Sequence, residues 1–161
     1  MNDPATPATL TIAPEPPRQD EVIALLRASD AFAEARYPPE SRHLLDVATL
    51  EKPEIRFFVA RLDGQAVGCG ALMRHADGTG ELKRMYVDDA ARGRRIGEAI
   101  LKRIEDEART QEIGLLRLET GILNNGALTL YRRCGYRNCG PFADYTGDKW
   151  TLFMEKELSG R

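Results

Sequence analysis

The chain predicts an α/β domain built on a mixed sheet, and three features carry that expectation. Two β-rich runs, Ile55 to Leu62 and Ala66 to Met73, flank Asp63-Gly64-Gln65, which has the composition of a hairpin turn. A third run, Glu81 to Val87, precedes a stretch in which Ile96, Ile100, Leu101, Ile104 and Ala108 recur at helical spacing. Leu115 to Glu119 follows that helix, so it should return parallel to Glu81–Val87 through a crossover. Antiparallel hairpins beside one parallel pair make the sheet mixed.

The remaining elements fall into place around these. Pro4, Pro7, Pro14, Pro16 and Pro17 bracket Leu10-Thr11-Ile12, which predicts a short first strand after an irregular segment of about residues 1–8. Val22, Ile23, Leu25 and Leu26 give a helical face. From Phe32 through Tyr37-Pro38-Pro39-Glu40-Ser41 to Leu50 the pattern is a broken helical region, able to form a pocket wall. Asp77-Gly78 turns the chain into Glu81–Val87. A second long helix, about Asn125 to Cys134, stops at Gly135, and Tyr136 to Cys139 and Thr151 to Lys156 supply late strands.

At 161 residues the chain is read as one domain spanning 1–161, long enough to bury a core without staples. Hydrophobic residues make up 42% and charged residues 30%, with a net charge of −2, so bulk charge gives no sign of a nucleic-acid partner. From Glu81 to Thr110 eight Lys/Arg stand against seven Asp/Glu, and the only basic concentration is Arg92, Arg94 and Arg95, which is the size of a phosphate group. Cys69, Cys134 and Cys139 are odd in number and lack metal-ligand spacing, so free thiols and no metal are expected. His43 and His75 are isolated and read as satisfied or surface residues. No basic leader with an apolar run and no membrane-length stretch occurs, which predicts a cytoplasmic protein without a membrane partner.

The chemistry is concentrated where the third strand meets its helix. In Arg94-Arg95-Ile96-Gly97-Glu98-Ala99 an arginine is followed by a glycine three residues on and a small residue two further. Such a turn can offer bare backbone N–H groups, and the positive end of a helix dipole, to a pyrophosphate. A solvated arginine turn is the competing reading. No Gly-Lys-Ser/Thr follows, so this is no P-loop, and the spacing from Gly93 to Gly97 is not a Rossmann fingerprint.

A second stretch, Asn124-Asn125-Gly126-Ala127-Leu128-Thr129-Leu130-Tyr131 with Gly135-Tyr136 behind it, makes the pattern specific. Together the two resemble the GNAT superfamily of acetyl-CoA-dependent N-acetyltransferases, over most of the chain. The resemblance implies a splayed central sheet flanked by helices and acetyl-CoA as co-substrate. It places the cofactor phosphates on Arg92, Gly93, Arg94, Arg95, Gly97, Glu98 and Ala99. The pantetheine arm would run along Met85, Tyr86 and Val87, with Asn124 and Ala127 nearby. It further implies Tyr131 as general acid, with a core tyrosine as the alternative, and Glu81 as general base, acting directly or through water, with a solvated or ion-paired glutamate as the equal alternative. A phenol near pKa ~10 is matched to a departing thiolate near ~8.5. An acceptor ammonium must lose a proton before it can attack a thioester, which is the task of a base.

Tyr37-Pro38-Pro39-Glu40-Ser41, the Gly68-Cys69-Gly70-Ala71-Leu72 strand and Pro141-Phe142-Ala143-Asp144-Tyr145 resemble a bacterial GNAT subgroup, some of whose members carry the label indole-3-acetic acid acetyltransferase. That places Tyr37, Glu40 and Ser41 as acceptor-pocket candidates, with loop structure as the equal alternative. The expected partner is a small-molecule amine or a peptide, attacked directly in a ternary complex; a homodimer is open, and nucleic acid is not expected. The runner-up function is a non-catalytic acyl-CoA-binding or regulatory module, which would keep the phosphate turn and need neither Tyr131 nor Glu81.

Overall fold

The computed structural model describes residues 8–158; the expected irregularity of residues 1–7 lies outside them. Seven strands form one sheet in the order β1-β2-β3-β4-β5-β7-β6. They are β1 (Leu10–Pro14), β2 (Ile55–Leu62), β3 (Gln65–Arg74), β4 (Gly80–Val87), β5 (Leu115–Gly121), β6 (Arg137–Cys139) and β7 (Thr151–Glu157). Four helices accompany them: α1 (Asp20–Glu34), α2 (Val47–Leu50), α3 (Ile96–Thr110) and α4 (Asn125–Arg133). All pairs are antiparallel except β4 with β5, as a helical crossover between two strands requires.

Local chemistry accounts for the elements. Asp63 and Gly64 both take positive φ, 50° and 86°, and turn β2 into β3 in two residues, leaving Gln65 inside β3 opposite Leu62. β1 runs on to Pro14, which is tolerated because β1 is the sheet edge. Gly135, at φ 96°, stops α4 in the left-handed conformation.

Each face of the sheet is closed by helices. α3 lays Ile96, Ile100, Leu101, Ile104 and Ala108 on Phe58, Leu72, Leu82, Leu116 and Leu118, and α4 adds Leu128 and Tyr131 to that core. On the other face α1 and α2 press Val22, Leu26 and Leu50 onto Phe57, Val59, Cys69 and Ala71. One polar contact is buried within the first face: Glu105 accepts a 2.8 Å bond from the Tyr136 hydroxyl and 3.0 and 3.2 Å bonds from Lys156 Nζ, tying α3 to β7.

The sheet opens at its centre. β4 and β5 are paired only through Gly80↔Leu116, Glu81↔Arg117 and Leu82↔Leu118. Beyond Leu82 the two strands separate while each keeps its outer neighbour, β4 with β3 as far as Val87 and β5 with β7 as far as Gly121. The separation begins at a bulge. Between the pairs Cys69↔Tyr86 and Ala71↔Lys83, Gly70 alone faces both Arg84 and Met85, and Arg84 takes φ 56°. Gly70 permits the close approach that follows: a Cβ there would stand 2.7 Å from Met85 Sδ and 2.9 Å from Ile104 Cδ1. Gly70→Ala should therefore destabilise the fold by about 1–3 kcal/mol through overpacking, read as a lowered denaturant midpoint with an unchanged slope. Wild-type stability would mean that the bulge has room to spare.

Candidate active site

The gap between the separating strands opens into a cleft of ≈ 580 Å³. Its floor is unusual backbone. β4 past Leu82 and β5 past Leu118 have lost their ladder to each other, so main-chain N–H and C=O groups of both strands face the cleft and can serve a ligand's amides.

At one end lie the helix starts. Gly93, at φ 84°, and Arg95, at φ 59°, bend the chain into the first turn of α3, where the leading N–H groups have no intrahelical partner. Arg92, Gly93, Arg95, Gly97 and Glu98 line the cleft, as do Met85, Tyr86, Val87, Asn124 and Ala127. Arg94 and Ala99 do not. Arg94 is exposed within the turn but off the cleft lining, and the Ala99 N–H is already bonded to the Arg95 carbonyl at 3.2 Å, inside the helix. Gly97 serves packing as well as access, because a Cβ there would meet Leu130 Cδ2 at 3.2 Å. Arg133, which sequence reasoning passed over, also lines this end; Glu98 accepts from its Nη2 at 3.0 Å and lies 3.7 Å from Arg95. Asn124 caps α4, its Oδ1 accepting from the Ala127 N–H at 3.3 Å.

Tyr131 lies on the cleft wall, 5% exposed, edge-on to Tyr136 at 5.8 Å between ring centroids. Burial pushes its phenol well above the usual tyrosine range. The hydroxyl is thereby held protonated, as a weaker acid than a free phenol.

Glu81, the base that the resemblance implies, is enclosed by partners, as in the ion-paired alternative. It sits at the last paired rungs of β4, 2% exposed and off the cleft lining. His75 Nε2 lies 2.8 Å from one oxygen, and the Tyr145 hydroxyl donates to the other at 2.6 Å. Lys83 Nζ, 3.4 Å away, donates to the same Tyr145 hydroxyl at 2.7 Å and to the His43 carbonyl at 3.1 Å. Glu81 thus anchors a buried network that fixes Lys83 and the loop carrying His43.

At the end of the cleft away from the α3 turn the lining carboxylate is Glu119, one residue past the last β4–β5 rung. His43 Nδ1 lies between its oxygens, 2.8 Å from Oε1 and 2.7 Å from Oε2, and only the Oε1 contact has hydrogen-bond direction. Burial raises the Glu119 pKa, with His43 opposing. Neither residue carried a local signal, since they are far apart in sequence. Strand alternation from Leu116 and Leu118 in the core does place Glu119 on the other face.

The α1–α2 connection walls off this end. Tyr37 and Ser41 line the cleft; Glu40, on the outer side of its short 3₁₀ turn, does not. The Tyr37 hydroxyl accepts from the Leu123 N–H at 3.1 Å, its ring stands edge-on to Trp150, and Ser41 donates to Asp148. The thiols take no visible part. Burial pushes Cys69 up to about 12, and Cys134 and Cys139 are raised by the same cause. Among the described residues no group of three or more His, Cys, Asp or Glu is arranged to hold a metal ion, and no helix is long and apolar enough to cross a membrane.

Comparison with known proteins bears on what this cleft accommodates. Residues 53–138 match the family described as Acetyltransferase (GNAT) domain. The chain is 49% identical over 150 residues to the IAA acetyltransferase of Azospirillum brasilense, spanning 92% of this chain and 98% of that one. A crystal structure from Klebsiella pneumoniae subsp. pneumoniae MGH 78578, assigned as an acyl-CoA N-acyltransferase, superposes with a TM-score of 0.79 at 37% identity, over 93% of this chain and 98% of that one. The PaiA N-acetyltransferase of Thermoplasma acidophilum, solved in complex with coenzyme A, shares the fold at 20% identity with a TM-score of 0.75, over 92% and 99% of the two chains.

Tyr37 can be tested directly, because a Cβ on Gly121 would fall 2.0 Å from its ring. Gly121→Ala should push the ring aside, shift the emission of Trp150, the one tryptophan in the chain, and lower stability by only about 1 kcal/mol. An unchanged emission spectrum would mean that the ring is not seated there.

Proposed function

The chain belongs to the GNAT acetyltransferase family and is an acyltransferase, and we propose that it moves acetyl from acetyl-CoA to an amine by direct attack in a ternary complex, with Glu119 as base and Tyr131 as acid. The observation that carries this reading is that both side chains line one cleft whose backbone is unpaired on the side a pantetheine arm would need. When bound, acetyl-CoA supplies an acyl group already activated as a thioester.

The chain's own residues divide the remaining work. The unpaired edges of β4 and β5 receive the arm's amides, and the N–H groups of the α3 turn, with Arg92, Arg95 and Arg133, receive the phosphates. Fit supports this assignment, since the left-handed Gly93 and Arg95 turn those N–H groups into the cleft. Arg94 and Ala99 drop out of the cradle. Glu119 takes the proton that an acceptor ammonium must lose, its raised pKa making it a stronger base, and His43, 38% exposed, passes that proton to water. Tyr131 gives its proton to the departing thiolate. Glu81 acts at one remove, by holding Lys83 and Tyr145.

The acceptor is an amine, and the name carried by the Azospirillum relative does not transfer simply to this chain. If IAA there denotes indole-3-acetic acid, that molecule has no aliphatic amine, and its ring nitrogen lone pair is delocalised. A non-catalytic acyl-CoA-binding module would have no use for the Glu119–His43 pair at the cleft's far end. The domain is proposed to act as one unit over residues 1–161, in the cytoplasm.

Two substitutions test the roles. Glu119→Gln should lower acetyl transfer by about 10²–10⁴-fold at neutral pH. The folded pKa is raised above 4.5, so the wild-type rate should fall as pH drops through that raised value, and the variant should lose this acid limb while recovering in part at high pH, where free amine is present. It should cost little stability, since the buried carboxylate is disfavoured as an ion. Tyr131→Phe should keep acetyl-CoA affinity and lower turnover by about 10²–10⁴-fold. Thiol release followed across pH on both purified variants decides, and wild-type rates would remove either residue from the mechanism.

A further inference from the structure

Two arginines at the acceptor end of the cleft have donors with no partner. Arg84 is buried, its side chain only 3% exposed. Its Nη1 donates to Asp30 Oδ1 at 2.6 Å and its Nη2 to the Leu26 carbonyl at 3.4 Å, while its Nε is buried and makes no bond. Arg42 repeats the pattern from the α1–α2 connection: its Nη1 lies 3.8 Å from Glu34, and its Nε is likewise buried and unpaired. Both residues line the main cleft, and both also line an adjoining cavity of ≈ 280 Å³.

A buried N–H of a charged group is costly to leave unmade, and such groups in a cleft mark where a ligand completes the pairing. The bulge brings one of them there. Because Arg84 occupies the extra position on β4, it can follow Lys83 towards the α1 side of the sheet, where strict alternation would have turned it into the α3 core. Lys83 itself is satisfied by His43 and Tyr145, which leaves the Nε groups of Arg42 and Arg84 as the buried donors without a partner among the described residues. Across the same cleft Glu119 offers the opposite charge.

Resting on the transferase reading above, we propose that the acceptor is a free amino acid, whose carboxylate is taken by Arg42 and Arg84 while its amino group faces Glu119. A carboxylate is a planar acceptor with two oxygens and suits guanidinium donors better than it suits a point charge. An acceptor with an amine and no acid would leave both Nε groups unpaired in the complex. The pairing accordingly sets specificity, and the proton transfers are those already described.

The test compares each of the common amino acids with its α-amide and its decarboxylated amine, by thiol release from acetyl-CoA and by binding to the protein held with coenzyme A. At least one amino acid should be acetylated with a kcat/KM about 30-fold or more above its amide and its amine. Arg42→Gln and Arg84→Lys should each raise KM for that amino acid by about tenfold or more and narrow its advantage over the amide, with acetyl-CoA affinity retained. Arg42 is the partly exposed member of the pair, so its variant gives a reading even where a change at Arg84 disturbs folding. Equal use of acid, amide and amine overturns the proposal. So does acetyl-CoA binding with no amino acid bound or acetylated, and so does unaltered discrimination in both variants. Failure to bind acetyl-CoA at all would instead overturn the transferase reading, and this inference with it.

Discussion

Everything in the site depends on where the β4–β5 ladder ends. Three rungs, from Gly80 to Leu82 against Leu116 to Leu118, hold the two halves of the sheet together, and past them each strand follows its outer neighbour. Backbone groups left without a partner in a protein interior are unfavourable, so this opening persists only because the outer ladders and the packed helices over-determine it. α3 holds one half through Ile100 and Ile104, and the Glu105 contact with Tyr136 and Lys156 ties it to the other. The cleft is a gap the rest of the fold keeps open.

That constraint also sorts the functional groups. Side chains just past the last rung, Lys83 and Arg84 on β4 and Glu119 on β5, are the ones brought to the cleft, whereas Glu81, still within the ladder, is enclosed by its own partners. Glu119 stands two residues past Arg117, the β5 partner of Glu81, and that offset separates an anchoring carboxylate from one on the cleft lining. The same pleat that buries Leu116 and Leu118 turns Glu119 to the opposite face, onto the cleft.

How much of this was legible in the sequence follows the range of each interaction. Features fixed within a few residues could be read: the Asp63-Gly64 hairpin, the α3 stripe, the Gly135 stop, and the strand–turn–helix that forms one end of the cleft. Spacing alone could not show that Arg94 and Ala99 stand off the cleft lining, or that the Ala99 N–H is already bonded within the helix. The bulge at Arg84 was invisible, since it exists only as a count of two residues against Gly70 on a neighbouring strand. Glu119 and His43 were missed for a related reason, as their partnership joins segments with no common local pattern. The fold was therefore more legible than the site, which is assembled from contacts distant in the chain.

The wall formed by the α1–α2 connection is held in a manner unlike the rest. Residues 37–46 join no strand ladder; among the described residues their ties to β4, β5 and the last loops run through side chains, by the Tyr37 hydroxyl on Leu123, Ser41 on Asp148, His43 on Glu119 and Lys83 on the His43 carbonyl. Such a stretch can be rewritten without altering the register of any strand. The chain thus separates a cleft floor fixed by main-chain geometry from a wall tied down by a few exchangeable side chains, so that the wall can change while the cleft it closes is kept.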